Sequence, residues 1–219
     1  MPLGEQTVRL STTPEHALDA LRRAIVSGEL RPGQRIGQEE VAELLGVSIA
    51  PVREALRVLE QEGQVTHFPR RGYFVTRLRI EDLEEIYALR RLLEERAARH
   101  ALPGLDEQQL QLMEGAAREC EQAARGGDVA AELQANRRFH FAILSKADQS
   151  HTMRLIRLLW DSTEAYRALY YNSPDERRRC IEAHARIMTA VHKRDADRLV
   201  AELDAHRDHA LEVLRELLP

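Results

Sequence analysis

Cysteine is scarce in this chain, with two in 219 residues, Cys120 and Cys180, and no C-x-x-C spacing. That excludes a disulfide framework and a thiol-built zinc ribbon, and both residues are expected to be reduced core or surface side chains. Long apolar runs are missing too. No segment approaches the roughly 18 residues of a membrane span, and the N-terminus lacks a basic flank followed by an apolar stretch. A cytoplasmic protein with no membrane partner is expected. Aromatics make up only 5%, while 43% hydrophobic and 31% charged residues describe a soluble, helix-rich chain rather than a disordered or fibrous one. An excess of basic charge is also absent: the formal net charge is −4, which argues against nonspecific coating of nucleic acid. Residues 1–78 hold ten Arg and ten Asp plus Glu, so any DNA contact there has to come from local clustering.

The length fits one large domain or two smaller ones. The pattern along the chain favours two, dividing near Thr76–Ile80 into residues 1–78 and 79–219. In the first part, Pro14 opens a helix carrying Ala17, Leu21, Ala24 and Ile25, and Leu30-Arg31-Pro32-Gly33-Gln34 reads as a turn. From Gln38 to Arg57 the spacing is that of a helix-turn-helix. Ala42 is small enough for a close helix crossing, and four residues later Gly46 can take the positive φ of a sharp turn. Ser48 is a good N-cap, and Pro51 is tolerated in a first helical turn. The second helix would present its first turn together with Arg53 and Arg57, where Arg can grip phosphate or guanine. Two β-prone runs around Pro69-Arg70-Arg71-Gly72 follow and read as a hairpin with a basic tip, the position of a wing.

From Ile80 onward every segment has the period of an amphipathic helix, and the breaks divide it into six. Leu83, Ile86, Arg90, Leu93 and Ala97 line the first; Pro103-Gly104 ends it; Asp106 with Gln109 resembles a capping box for the second. A third runs from Asp128 to Lys146, a fourth from His151 to Tyr171, a fifth from Pro174, and Asp195 caps the last. The fold class is mainly α, a winged helix-turn-helix plus an antiparallel six-helix bundle.

Three histidines fall on inward stripes: His140 with Leu133 and Ile143, His184 with Met188 and Val191, His206 with Leu199 and Leu203. One inward His is more often a hydrogen-bonded core residue than a ligand. Three on separate helices favour a shared divalent metal, because each buried imidazole needs a partner. Asn136, one turn before His140, completes a four-group set. Zn or Ni suits such ligands. Arg90, also on an apolar stripe, is either in an internal salt bridge or a clamp for a ligand carboxylate.

The stretches LRRAIVSGELRPGQRI, VAELLGVSIAPVREALRVLEQEG and RRGYFV resemble the GntR family of regulators, in the FadR-type branch with an all-helical, metal-binding FCD effector domain of the six-helix, VanR-like kind. The resemblance implies a DNA-binding transcription regulator and not an enzyme. It implies Ser48, Arg53, Arg71 and Gly72 as DNA contacts, a homodimer on two-fold operator DNA, and a small organic- or sugar-acid effector that releases repression. It places the dimer surface on the first and fourth helices of the C-terminal part. It also matches Asn136, His140, His184 and His206 to an Asp-x-x-x-His pair and two later histidines. The chain departs from the pattern at Ile49 and Ala50, where many relatives have Arg and Thr, and at Asn136, where the first ligand is Asp. Two other functions fit parts of the chain: DNA binding with a purely structural metal, and a metal-dependent hydrolase or lyase. The second lacks H-E-x-x-H and leaves the N-terminal part unexplained.

Overall fold

The computed structural model describes residues 13–218; the first twelve residues of the expected N-terminal domain, and residue 219, lie outside the described residues. The described residues form ten α-helices and one three-stranded sheet. Helix α1 (Thr13–Val26) buries Ala17, Leu21 and Ile25, positions four apart on one face. It packs on α3 (Ile49–Gln61), which turns Val52, Ala55, Leu56 and Leu59 inward. Between them, α2 (Gln38–Leu45) ends at Gly46, whose φ of 65° closes the left-handed cap, and Val47 N–H returns to the Ala42 carbonyl. Strands β1 (Arg35–Ile36), β2 (Val65–Phe68) and β3 (Gly72–Val75) form an antiparallel sheet of order β1-β3-β2, with Phe68 opposite Gly72 at the hairpin tip. Ile36, Val65, Tyr73 and Val75 close the helical core from below. This is the winged helix-turn-helix that the spacing predicts.

The helical part comprises α4 (Ile80–Ala101), α5 (Glu107–Gly126), α6 (Val129–Leu144), α7 (Ser150–Ser162), α8 (Glu164–Tyr171), α9 (Pro174–His192) and α10 (Ala196–Leu217). Asp106, Asp128 and Asp195 cap α5, α6 and α10 by accepting from backbone N–H groups two or three residues into each helix. Seven helices stand where six are expected. The run from His151 to Tyr171 breaks at Thr163, a fully buried residue at φ −106°, whose hydroxyl donates to the carbonyls of Leu159 (3.1 Å) and Trp160 (3.3 Å). That back-bonding competes with the helical ladder. Apolar periodicity continues across the break, so sequence alone does not show it.

The break lets α8 touch both halves of the molecule. On one side it packs against α6, α9 and α10; on the other it meets α1, with Ala165 packed on the N-terminal core. The Tyr166 hydroxyl accepts the Leu78 N–H at 2.6 Å, pinning the segment between β3 and α4. Ser162 lies so close to Gly63 (φ 75°) that a Cβ there would stand 3.1 Å from the serine's own, so only glycine fits both the turn and the contact. Among the described residues no helix is long and apolar enough to cross a membrane.

Candidate DNA-reading face and metal centre

Helix α3 presents one apolar and one open face. Ser48, Arg53 and Arg57 are exposed, opposite buried Val52, Leu56 and Leu59. Ser48 occupies the N-cap, yet its side chain makes no capping hydrogen bond, so the hydroxyl stays available to a phosphate. At the hairpin tip Arg70 takes φ 65° and Gly72 φ 92°, which turns the exposed Arg70 and Arg71 side chains outward. Arg35 Nε donates to the Arg71 carbonyl at 3.1 Å, and the Arg71 guanidinium lies 5.7 and 5.5 Å from the Phe68 and Phe74 rings. Among the described residues, Arg53, Arg57, Arg70 and Arg71 form no ion pair, which leaves four cations open to an anionic duplex.

In the helical part, His140 on α6, His184 on α9 and His206 on α10 converge, with donor atoms all within 4.8 Å of one another. The His140 and His206 rings stack at 5.3 Å, and His184 lies 5.4 and 5.5 Å from them. Asn136 Oδ1 is 3.0 Å from His184 Nε2. Phe139 stacks on His184 at 4.0 Å and fixes its plane. Burial, and after it the neighbouring charges, pushes all three imidazoles below their ordinary range, His206 to about 3. They are therefore neutral, the form that ligates metal. The Nδ1 atoms of His140 and His184 are buried without a hydrogen-bond partner. Neutral, converging and under-satisfied imidazoles fit a divalent cation.

Beside the triad is a cavity of about 30 Å³, lined by Asn136, His140 and His206 and by three guanidiniums, those of Arg90, Arg167 and Arg207. One carboxylate faces them. Glu94 accepts from Arg90 Nε (2.9 Å), Trp160 Nε1 (2.7 Å) and Arg207 Nη1 (2.5 Å). Burial alone would raise its carboxyl, but Arg90 and Arg207 outweigh it and hold the group at about 2. Arg90 therefore sits at the cavity, with its Nε committed to an internal ion pair. Arg167 is different. It stacks on Trp160 at 4.4 Å and donates once, to the Trp160 carbonyl at 3.2 Å, while its Nε and Nη1 have no partner.

Glu94, Arg167 and Arg207 escaped the sequence reading. Each follows a buried residue by four: Arg90 to Glu94, Thr163 to Arg167, Leu203 to Arg207. The four-residue step is the signal that places each of them on a buried face. Trp160, Tyr170 and Tyr171, given no role from sequence, also line the cavity.

The fold and the exposed face of α3 define a winged helix-turn-helix regulator with a helical C-terminal domain. Residues 13–75 match the model for bacterial regulatory proteins of the gntR family, and residues 85–209 match the FCD domain. The chain belongs to the GntR family of DNA-binding transcription regulators, in the branch that carries an FCD domain. Its relatives include the uncharacterized HTH-type transcriptional regulator YdhC of Bacillus subtilis (strain 168), 30% identical over 199 residues, 90% of this chain and 89% of the relative. The HTH-type transcriptional repressor RspR of Escherichia coli (strain K12) is 26% identical over 206 residues, covering 90% and 86%. The solved structure of E. coli McbR/YncC superposes with a TM-score of 0.82 at 26% identity, over 95% of this chain and 99% of that one.

Proposed function

We propose that this regulator is a cytoplasmic, homodimeric repressor whose operator affinity is set by a small carboxylate bound beside a divalent metal. Residues 1–78 form the DNA-binding unit, which reads the duplex through Ser48, Arg53 and Arg57 on α3 and Arg70, Arg71 and Gly72 on the wing. Residues 79–219 form the sensing unit. Asn136, His140, His184 and His206 would hold the ion, Zn or Ni by donor type. When bound, it supplies a Lewis-acidic anchor for a carboxylate oxygen.

The observation that carries the effector is Arg167. A buried guanidinium with two unpartnered nitrogens, on the wall of a cavity lined by three arginines and one carboxylate, is costly on its own and is placed to meet an anion. Arg90 and Arg207, oriented by Glu94, add to the field without needing to move. The repressor sign is supported by RspR's name and by the family resemblance. Dimerisation through α4 and α7 is supported by exposed leucines on both, Leu89 and Leu92 on the first, Leu155 and Leu158 on the second.

Thermal melting of the metal-loaded protein tests the sensing site. Small carboxylic acids should raise the melting temperature of the wild type, since a ligand at one hundred times its Kd stabilises by about 2.7 kcal/mol. Arg167→Met should remove the shift. A panel of carboxylates that moves neither protein would leave the metal without an effector and reject the proposal.

A further inference from the structure

The wing carries two phenyl rings on the face of its sheet that turns away from the core. Side chains alternate along β3, so Tyr73 and Val75 are buried in the N-terminal core while Phe74, between them, points outward and is half-buried. On β2, Phe68 is 43% exposed. It stands opposite Gly72, which offers no side chain, and leans diagonally onto Phe74, edge to face with ring centroids 5.5 Å apart. Core packing does not account for this outward pair. What the rings hold is Arg71, whose guanidinium lies 5.7 Å from the centroid of Phe68 and 5.5 Å from that of Phe74, both within the range of cation–π attraction. The backbone beneath is held as well. Arg35, paired with Phe74 across β1 and β3, donates from Nε to the Arg71 carbonyl at 3.1 Å. A carboxylate could orient Arg71 too, but it would consume N–H donors and cancel the charge that DNA binding uses. Ring faces do neither.

We propose that Phe68 and Phe74 are positioning residues for DNA binding: they cradle the Arg71 guanidinium at the wing tip and present its N–H edges to the duplex. An exposed arginine loses rotamer freedom when it meets DNA, and a side chain already held in place by the fold loses less. The proposal rests on the reading above that Arg71 contacts DNA.

The test is a double-mutant cycle on the full-length protein, read as affinity for a DNA fragment from its own promoter region at fixed salt. Phe68→Leu should weaken binding by wild type about two- to fivefold, the size of one exposed cation–π contact, and should change nothing when Arg71 is already alanine. Phe68→Trp, which keeps a ring, should bind as wild type does. Phe74→Leu, made separately, should repeat the pattern of Phe68→Leu. An equal loss from Phe68→Leu with and without Arg71, a Phe68→Trp protein as weak as Phe68→Leu, or no loss from Phe68→Leu at all would overturn the cradle while leaving Arg71 as a DNA contact. Unchanged binding by Arg71→Ala alone would overturn the reading of Arg71 itself.

Discussion

At Arg167 a single side chain decides between a packing role and a sensing role. Replacing it with Met removes a buried, half-satisfied charge, so the unliganded protein should be as stable as wild type or more so in urea unfolding, a result opposite to that of breaking an ion pair. Glu94→Gln is such a break. It leaves Arg90 without its anion and Arg207 with Asp204 alone, and should cost about 3–5 kcal/mol in the same measurement. A second buried acid sets a pH signature. Glu132 on α6 has neither carboxylate oxygen hydrogen-bonded, with Arg177 Nε 3.8 Å away, and burial pushes it up to about 7. Between pH ~4.5 and ~7 the folded state keeps a proton that the unfolded chain has released, so stability falls as pH rises through that window. Glu132→Gln should flatten the slope and raise stability at pH 8 by about 1–3 kcal/mol, measured by unfolding at pH 5 and pH 8. Of the buried polar groups, the histidines were legible in sequence because imidazoles on three apolar stripes have few other reasons to converge. Arg167 and Arg207 were not, since an arginine at a stripe's edge reads equally well as a solvated stem.

Among the elements, α8 links the cavity to the DNA-binding unit. One turn of it carries Arg167 into the cavity and Tyr166 onto the Leu78 N–H, while Ala165 touches the N-terminal core. A ligand that draws Arg167 inward would rotate a short helix held at both ends. Tyr166→Phe should therefore keep metal and carboxylate affinity but weaken the ligand's effect on DNA binding, read as a smaller ratio of DNA affinities with and without ligand. An undiminished ratio would remove α8 from the path. The helix-turn-helix, wing and most helix ends were legible because each has a local chemical cause: Gly46 at the turn, Asp106 and Asp195 at caps, Pro103-Gly104 at a stop. The α7–α8 break was not, because its cause is a hydroxyl bonding backward from a buried Thr163, which no local pattern distinguishes from a threonine inside a helix.

For the whole molecule, the chain's acidic balance and the four arginines on α3 and the wing that form no ion pair among the described residues fit a protein that binds DNA through that face. The proposed two-fold operator would call for a dimer, since one recognition helix and one wing contact too little duplex. The coupling available to a ligand is on the order of 1–3 kcal/mol, about 5–150-fold in operator affinity. The most direct measurement is binding of the metal-loaded protein to DNA from its own promoter region, over a salt series and with small carboxylates, for wild type, Arg53→Ala and Arg167→Met. The expected result is tight, salt-sensitive binding that Arg53→Ala loses, and that carboxylate weakens in the wild type but not in Arg167→Met. Binding unchanged by Arg53→Ala, or a carboxylate effect that persists in Arg167→Met, would contradict the account at the DNA face or at the cavity, respectively.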